Sequence, residues 1–199
     1  MPESVAYFVN GVLQAAPATA SDRTLTVSGI NVPAGGTATV VYRADVNGFA
    51  PLAAGGTIVN TVSASGDGIN TPVTATETVT AGGAPRLSIS KSVAQTTVTE
   101  NGTLTYTFVI ENTGNTAADA SANISVSDVF NPALNPVAVT FNGTTWTEGT
   151  NYTYTPANGT FATVPGQITV PAATFVQNPT TGEWTVTPGT SELVVSGTV

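Results

Sequence analysis

The sequence predicts an all-β protein, organised as an immunoglobulin-like β-sandwich of two staggered, partial repeat units. The 199 residues include 37 threonines and 26 valines, and β-branched side chains fit a pleated strand better than a helix. Apolar residues alternate with polar ones over short segments, and Asn-Gly or Gly-Gly pairs separate these segments. Many short strands with regular turns are typical of a sandwich.

Each predicted strand is a short segment in which every second residue is apolar. In residues 103–110, for example, Leu104, Tyr106 and Phe108 alternate with threonines. No segment has convincing helical periodicity, since the nearest candidate, 116–122, lacks apolar spacing. The predicted strands are 5–9, 24–30, 37–46, 57–64, 73–80, 86–93, 103–110, 123–130, 137–142, 167–170 and 191–198.

A linker at 83–85, inside the segment Ala-Gly-Gly-Ala-Pro, divides the chain into units 1–82 and 86–199. The segment Val5 to Gly11 matches Val137 to Gly143, and both end in Asn-Gly. The first unit has no counterpart of 86–136, and the second has none of the strands 57–64 and 73–80. We therefore predict that 1–82 is the C-terminal portion of one repeat and that 86–199 is a second repeat lacking its last strands.

The composition excludes several classes of function. A net charge of -8 with four basic residues cannot neutralise a run of phosphates, so nucleic-acid binding is not expected. Without cysteine or histidine there is no thiol nucleophile, imidazole base or zinc-type metal site, and no cofactor is predicted. No apolar stretch is long enough for a membrane span, and the start of the sequence does not predict a signal peptide.

Several motifs resemble a repeat of bacterial and archaeal surface proteins, the family called "domain of unknown function 11". They are Leu87-Ser-Ile-Ser-Lys91, Asn101-Gly102, Leu104-Thr-Tyr-Thr-Phe108, Glu111-Asn-Thr-Gly-Asn115, Val126-Ser-Asp128 and, from the previous copy, Ile58-Val-Asn-Thr-Val62. The resemblance implies immunoglobulin-like sandwiches in tandem arrays, with a structural or adhesive role and no catalysis. It also implies an extracellular or cell-surface location.

Three polar residues fall on the apolar phase of their predicted strands. Lys91, the only lysine of the chain, shares its phase with Leu87 and Ile89. In the same way Asn60 alternates with Ile58 and Val62, and Asp128 with Val126 and Phe130. Because an unpaired buried charge costs several kcal/mol, we expect the three positions to serve a common purpose.

An isopeptide cross-link would explain Lys91, Asp128 and Asn60 together, as in similar domains of bacterial adhesins and pili. In an apolar core a lysine loses its proton more easily and an aspartate holds one more tightly. The neutral amine could then attack an asparagine carboxamide while Asp128 promotes the reaction as an acid. The alternative is a simple ion pair of Lys91 with Asp128, with Asn60 bonded to backbone groups.

The stagger affects which residues would be joined. Within a complete repeat Asn60 belongs to the preceding lysine, and Lys91 to an asparagine beyond Val199. The partner lies either in a longer polyprotein or in a neighbouring copy that adds a strand, which gives a head-to-tail filament. Both units keep the 5–46 type of segment. If neighbouring copies completed each other by exchanging strands, one of these two segments would be redundant. The sequence therefore favours a fragment of an array.

The sequence therefore predicts a structural, non-enzymatic surface protein: a spacer, stalk or fibre subunit. The alternative is an adhesin that binds a glycan or a host protein through the 144–186 insert of the second unit. That insert contains Trp146 and Trp184, although aromatic residues of a sandwich more often belong to its core. Glu148 and Glu183 could be imagined as a glycosidase pair, but nothing in the sequence fixes their separation.

Overall fold

The computed structural model describes residues 4–15, 18–21 and 24–199, which form antiparallel sheets joined by loops and one 3-10 turn at Ala120–Ala122. The predicted all-β class is confirmed. The residues on which the signal-peptide expectation rests, 1–3, lie outside this described part. No helix within it has the length and apolar character needed to cross a membrane.

The strands are named β1 to β17 in chain order. They are β1 Ser4–Val9, β2 Val12–Gln14, β3 Ala18–Ser21, β4 Thr24–Val27, β5 Ala38–Arg43, β6 Thr57–Ala64, β7 Val73–Thr80, β8 Leu87–Val93, β9 Thr103–Asn112, β10 Ser127–Val129, β11 Val137–Phe141, β12 Thr144–Thr145, β13 Tyr152–Thr155, β14 Thr160–Thr163, β15 Thr174–Gln177, β16 Trp184–Thr187 and β17 Gly189–Thr198.

The first compact unit, residues 1–50, contains a three-stranded sheet and a separate hairpin. The sheet has the order β2-β1-β5, and β3 pairs with β4. The turn between β1 and β2 is Asn10-Gly11, where both residues have positive φ, 49° and 80°. Such turns match the right-handed twist of the two strands that they connect.

The second compact unit, residues 51–199, holds the main hydrophobic core. A five-stranded sheet has the order β12-β11-β17-β9-β8, and a three-stranded sheet has the order β10-β14-β13. Two hairpins, β6-β7 and β15-β16, form separate two-stranded sheets. The predicted Asn142-Gly143 turn joins β11 to β12, again with positive φ at both residues.

The core of the second unit is formed by side chains from both of its larger sheets. Leu193 and Val195 of the five-stranded sheet and Phe161 of the three-stranded sheet are fully buried. The ring of Phe161 lies 5.8 Å from that of Phe130 and 5.6 Å from that of Tyr152, measured between centroids. These distances are typical of favourable aromatic pairs.

The structure corrects the predicted strand at 167–170. Within that segment Ile168 and Val170 are buried, but Val170 pairs only with Ala118, as an isolated bridge. The alternation of apolar residues therefore reflects burial and not membership of a ladder. Of the predicted strand 123–130 only Ser127–Val129 forms a ladder, although Val126 and Phe130 are buried as the predicted phase requires.

The boundary between the two compact units falls at a different point in the chain from the predicted linker. The contacts divide the chain between residues 50 and 51, whereas the sequence analysis placed the linker at 83–85. The hairpin β6-β7 consequently belongs to the same compact unit as the sheets that follow it. The predicted repeat boundaries concern internal similarity of the sequence, and they stay a prediction.

Replacing Phe161 by alanine should lower the free energy of unfolding by about 3–5 kcal/mol, because its ring is fully buried between aromatic neighbours. Equilibrium unfolding in urea, followed by tryptophan fluorescence, measures this loss. The control is Val176→Ala on β15, whose side chain is 66% exposed and should change the free energy by no more than about 0.5 kcal/mol. Equal effects of the two substitutions would contradict this description of the core.

Candidate functional site: the uncovered edge strand and its junction

One set of alternating side chains on β8 lies on the same side of the sheet as the core residues of β9. In the antiparallel register Ile89 is opposite Ile110 and Lys91 is opposite Phe108, and directly opposite residues project from the same face of a sheet. Ile110 and Phe108 are both 3% exposed. Lys91 therefore lies on the core-facing side of β8, as its phase in the sequence predicted.

The core-facing side of β8 is nevertheless open. Leu87, Ile89 and Val93 are 41%, 54% and 37% exposed. β8 and β10 each end their own sheet, and the contact of Lys91 with Asp128 leaves most of the inner face of β8 exposed. A shallow groove of about 170 Å³ remains here, lined among others by Ile89, Ile110 and Ile124.

Lys91 and Asp128 meet at this open edge. The Nζ of Lys91 donates a hydrogen bond to Oδ2 of Asp128, which belongs to β10. The second carboxylate oxygen, Oδ1, accepts from the backbone N–H of Val129 at 2.9 Å. The ammonium also lies 4.7 Å from the centroid of the Tyr106 ring and 5.4 Å from that of Phe130, within the range of cation–π attraction.

In this structure the two groups form an ion pair, which is the arrangement that the alternative interpretation predicted. The side chain of Lys91 is 40% exposed and that of Asp128 is 19% exposed. A partly solvated pair of this kind contributes about 1 kcal/mol or less to stability. The cross-link chemistry requires a site from which water is excluded, and the edge is open here.

Asn60 lies in a different sheet from Lys91. It is part of β6, opposite Glu77 in the two-stranded sheet with β7. Its face of the hairpin also carries Ile58, Val62 and Val79, which are 39%, 57% and 66% exposed, whereas the opposite face consists mainly of threonines. The structure thus brings Lys91 and Asp128 together and places Asn60 on an uncovered apolar face elsewhere.

Two asparagines that were not predicted as site residues organise the junction before β8. Asn112, at the end of β9, is fully buried, and its amide makes four hydrogen bonds to the backbone. Its Oδ1 accepts from the N–H groups of Arg86 and Gly114, each at 2.9 Å. Its Nδ2 donates to the carbonyls of Thr116 and Pro171 at 2.8 and 2.9 Å. The carboxamide is therefore fully satisfied, as a buried polar group must be.

The side chain of Asn115 joins the base of the hairpin to the sheet that follows. Its Nδ2 donates to the carbonyls of Leu52 and Gly82, each at 2.9 Å, and its Oδ1 accepts from the N–H of Ala84 at 3.0 Å. One amide thus binds both chain segments at the base of β6-β7. We call these three hydrogen bonds of Asn115 the junction clamp.

Gly114 allows the two segments to approach closely. A Cβ at this position would lie 2.2 Å from the carbonyl oxygen of Ala84, a distance that no side chain tolerates. The motif Glu111-Asn-Thr-Gly-Asn115 contained the signal, since asparagines around a glycine after a strand commonly bond to backbone groups. The sequence analysis used the motif only as a mark of family resemblance.

The aromatic residues of the 144–186 insert belong mainly to the core. Trp146, Tyr152, Tyr154 and Phe161 are all buried, and Trp184 is half-buried on β16. Burial, and to a lesser extent the nearby Glu148 carboxylate, raises the pKa of the Tyr152 phenol. Phe175 on β15 is also half-buried, so four of the six aromatic residues of the insert are unavailable to stack on a ligand. Glu183 lies between β15 and β16, whereas Glu148 pairs with Tyr152 as an isolated bridge.

Comparisons with known proteins identify no relative of the chain: no family model, no curated protein and no solved structure matches it. The resemblance to the surface repeat described above therefore stays a prediction. In the described part of the chain, no three acidic side chains lie together in a group that could hold a metal ion.

The substitution Asn115→Ala should loosen the junction without unfolding the core. Loss of the junction clamp should accelerate amide hydrogen exchange about five- to tenfold at Ala84 and at Gly55 and Ala81, which pair at the base of the hairpin. Mass spectrometry of peptides from these segments measures the rate.

The matched control is Asn158→Ala, an exposed asparagine whose Oδ1 bonds only to the N–H of Thr160 in a local turn. This control should leave exchange at residues 52–84 unchanged. If Asn115→Ala also leaves that exchange unchanged, the junction clamp does not hold the hairpin to the sheet.

Proposed function

We propose that the chain is a structural, non-enzymatic repeat segment of a cell-surface or fibre-forming protein, acting as a spacer, stalk or filament subunit. The observation that carries this proposal is the junction clamp. A spacer has to fix the direction in which one segment follows another, and Asn115 bonds the base of β6-β7 to the sheet that begins at β8. A flexible linker of this length would let consecutive segments reorient.

A tandem arrangement of immunoglobulin-like repeats is part of the proposal. In the first unit a central strand, β1, lies between its Asn-Gly hairpin partner β2 and the later strand β5. In the second unit β11 lies in the same way between β12 and β17. The common arrangement β2-β1-β5 and β12-β11-β17 supports the internal similarity that the sequence indicates between 5–11 and 137–143.

We further propose that Lys91 and Asp128 form one half of a covalent cross-link, with an asparagine equivalent to Asn60 as the other half. The contact between Lys91 and Asp128 supports this assignment, because both groups have to meet the same carboxamide. A strand that covers the open edge would exclude water, which favours transfer of the lysine proton to the carboxylate. Asp128 would then be the acid and the Lys91 amine the nucleophile.

The atoms of this step balance. The neutral Nζ of Lys91 attacks the Cγ of the asparagine, and a new C–N bond forms. Asp128 accepts a proton from the attacking nitrogen and delivers one to the leaving nitrogen, so that the bond from Cγ to Nδ2 breaks and ammonia departs. One amine and one carboxamide become a secondary amide and ammonia, with no oxidant or cofactor, and the reaction occurs once per site.

An adhesive role for the 144–186 insert has less support. Its aromatic residues are mostly buried, and a glycan-binding face usually needs exposed rings. No other feature among the described residues of the insert favours a glycan or a host protein. The spacer is therefore the function that we propose.

The cross-link predicts covalent ladders when the protein is concentrated and incubated. Each joint should survive boiling in denaturant, and the joined species should weigh less than the sum of its chains by one ammonia per bond, as measured by intact-mass spectrometry. The substitution Lys91→Arg keeps a cation beside Asp128 but removes the nucleophile, and it should abolish the ladder. Asp128→Asn should slow ladder formation by at least about 100-fold, since it removes the proton acceptor and donor.

Unmodified chain masses after prolonged incubation, together with free labelling of Lys91 by an amine reagent, would exclude this cross-link. The spacer function itself is tested separately, by the hydrogen exchange of the Asn115→Ala variant.

A further inference from the structure

We propose that the open edge beside Lys91 accepts the β6-β7 hairpin of a second copy of this chain, so that copies associate head to tail. This inference rests on the proposed structural role and names its partner. The contact itself is non-covalent and requires no cross-link. Two surfaces of the chain support this inference. One is an open strand edge with an exposed apolar face, and the other is an isolated hairpin with an exposed apolar face.

The acceptor surface is the core-facing side of β8 together with its free edge. β8 pairs only with β9 in the described sheets, so its other side presents unpaired backbone N–H and C=O groups, which readily pair with another strand. Its inner face exposes Leu87, Ile89 and Val93 around Lys91.

The donor surface is the apolar face of the β6-β7 hairpin. Ile58, Val62 and Val79 are exposed there around Asn60 and Glu77. Both strands pair only with each other in the described sheets, and an isolated two-stranded hairpin is marginally stable in water. Addition of β6 to β8 would extend the five-stranded sheet by two strands and continue its apolar face.

The two surfaces are complementary in charge. Residues 86–93 carry Arg86 and Lys91, two of the four basic residues of the chain, and no acidic residue; with Asp128 of β10 paired to Lys91, Arg86 leaves this edge with one net positive charge. Residues 57–80 carry Asp67 and Glu77 and no basic residue. In a chain with so few charges, this segregation favours contact of the hairpin with β8 and opposes contact of two hairpins with each other. It is the reason for choosing the hairpin of a second copy as the occupant.

The hairpin of the same copy is not free to fill the site. Only residues 81–86 separate β7 from β8, and this segment is bonded by Asn115 at Ala84 and by Asn112 at Arg86. Folding the hairpin back over Lys91 would break these bonds. A donor from another copy leaves them intact, and it uses only β6 and β7, so the duplicated 5–46 type of segment stays outside the contact.

Docking also places Asn60 on the same side of the extended sheet as Lys91. Both residues lie on the apolar faces that would become continuous, and β6 would be the strand next to β8. The hairpin would remove water from the Lys91–Asp128 pair, which is 40% and 19% exposed without it. The docked hairpin thus supplies both the carboxamide and the dry surroundings that the proposed cross-link needs.

The test uses the full chain with Lys91→Arg, in which no amide can form, so that association is measured separately from the cross-link. Sedimentation velocity should show mass increasing with concentration into species larger than a dimer. Val62→Asp on the donor face and Ile89→Asp on the acceptor face should each weaken association by at least about tenfold. Mixing these two variants should restore one contact only and give a heterodimer that does not grow.

Each matched control lies on the same strand as the substitution, but on the opposite face. Val59→Asp falls on the threonine face of the hairpin, and Ser90→Asp falls on the outer face of β8, and neither should change association. Urea unfolding of every variant checks that the core is intact. A chain that stays monomeric at high concentration would overturn the inference, as would a dimer that neither donor nor acceptor substitution affects, or a mixture that forms no heterodimer.

The outcomes also separate this inference from the proposed function. If the unsubstituted chain, which keeps Lys91, associates head to tail without losing ammonia, the docking is supported and the cross-link is excluded. A monomeric chain with slow exchange at the junction would support a spacer and exclude the docking.

Discussion

The core-facing side of β8 is the constraint on which the rest of the site depends. A sheet that is apolar on one face needs a second layer against that face, and here β10, the last strand of the three-stranded sheet, meets β8 through the Lys91–Asp128 pair but leaves Leu87 and Ile89 exposed. Ile89 consequently faces water on one side while Ile110, directly opposite on β9, is buried. The same opening leaves the Lys91–Asp128 pair partly solvated, and the cross-link that we propose would therefore require another strand.

In the proposed assembly, the junction clamp restricts which strand can cover this face. Asn112 and Asn115 bind the backbone on both sides of the linker, so the hairpin before β8 is held at the end of the strand and away from its open face. The two asparagines therefore have a double effect. In the assembly that we propose they would give direction to the chain, as a spacer requires, and they would keep the donor and acceptor surfaces of one copy apart, so that each is available to another copy.

Much of the second unit could be predicted from alternation alone. The phase of β9 placed Phe108 and Ile110 in the core, and both are buried. The phases of β8, β6 and the 123–130 segment placed Lys91, Asn60 and Asp128 on apolar faces, in agreement with the registers. The 167–170 segment shows the limit of this argument, because a buried loop can alternate in the same way without a partner strand. Asn112 and Asn115 escaped detection because their role depends on carbonyls up to 63 residues away.

The sequence by itself determined the β class, the side of each strand on which its polar exceptions lie, and the separation of basic from acidic residues between β8 and the hairpin. Only the tertiary structure decided that Lys91 meets Asp128 and not Asn60, and that the apolar faces of β8 and β6-β7 are left uncovered. The physical reason is that a period of two residues fixes the side to which a side chain points. Whether a second layer reaches that side depends on how far the opposing sheet extends and where the chain between the strands is bonded.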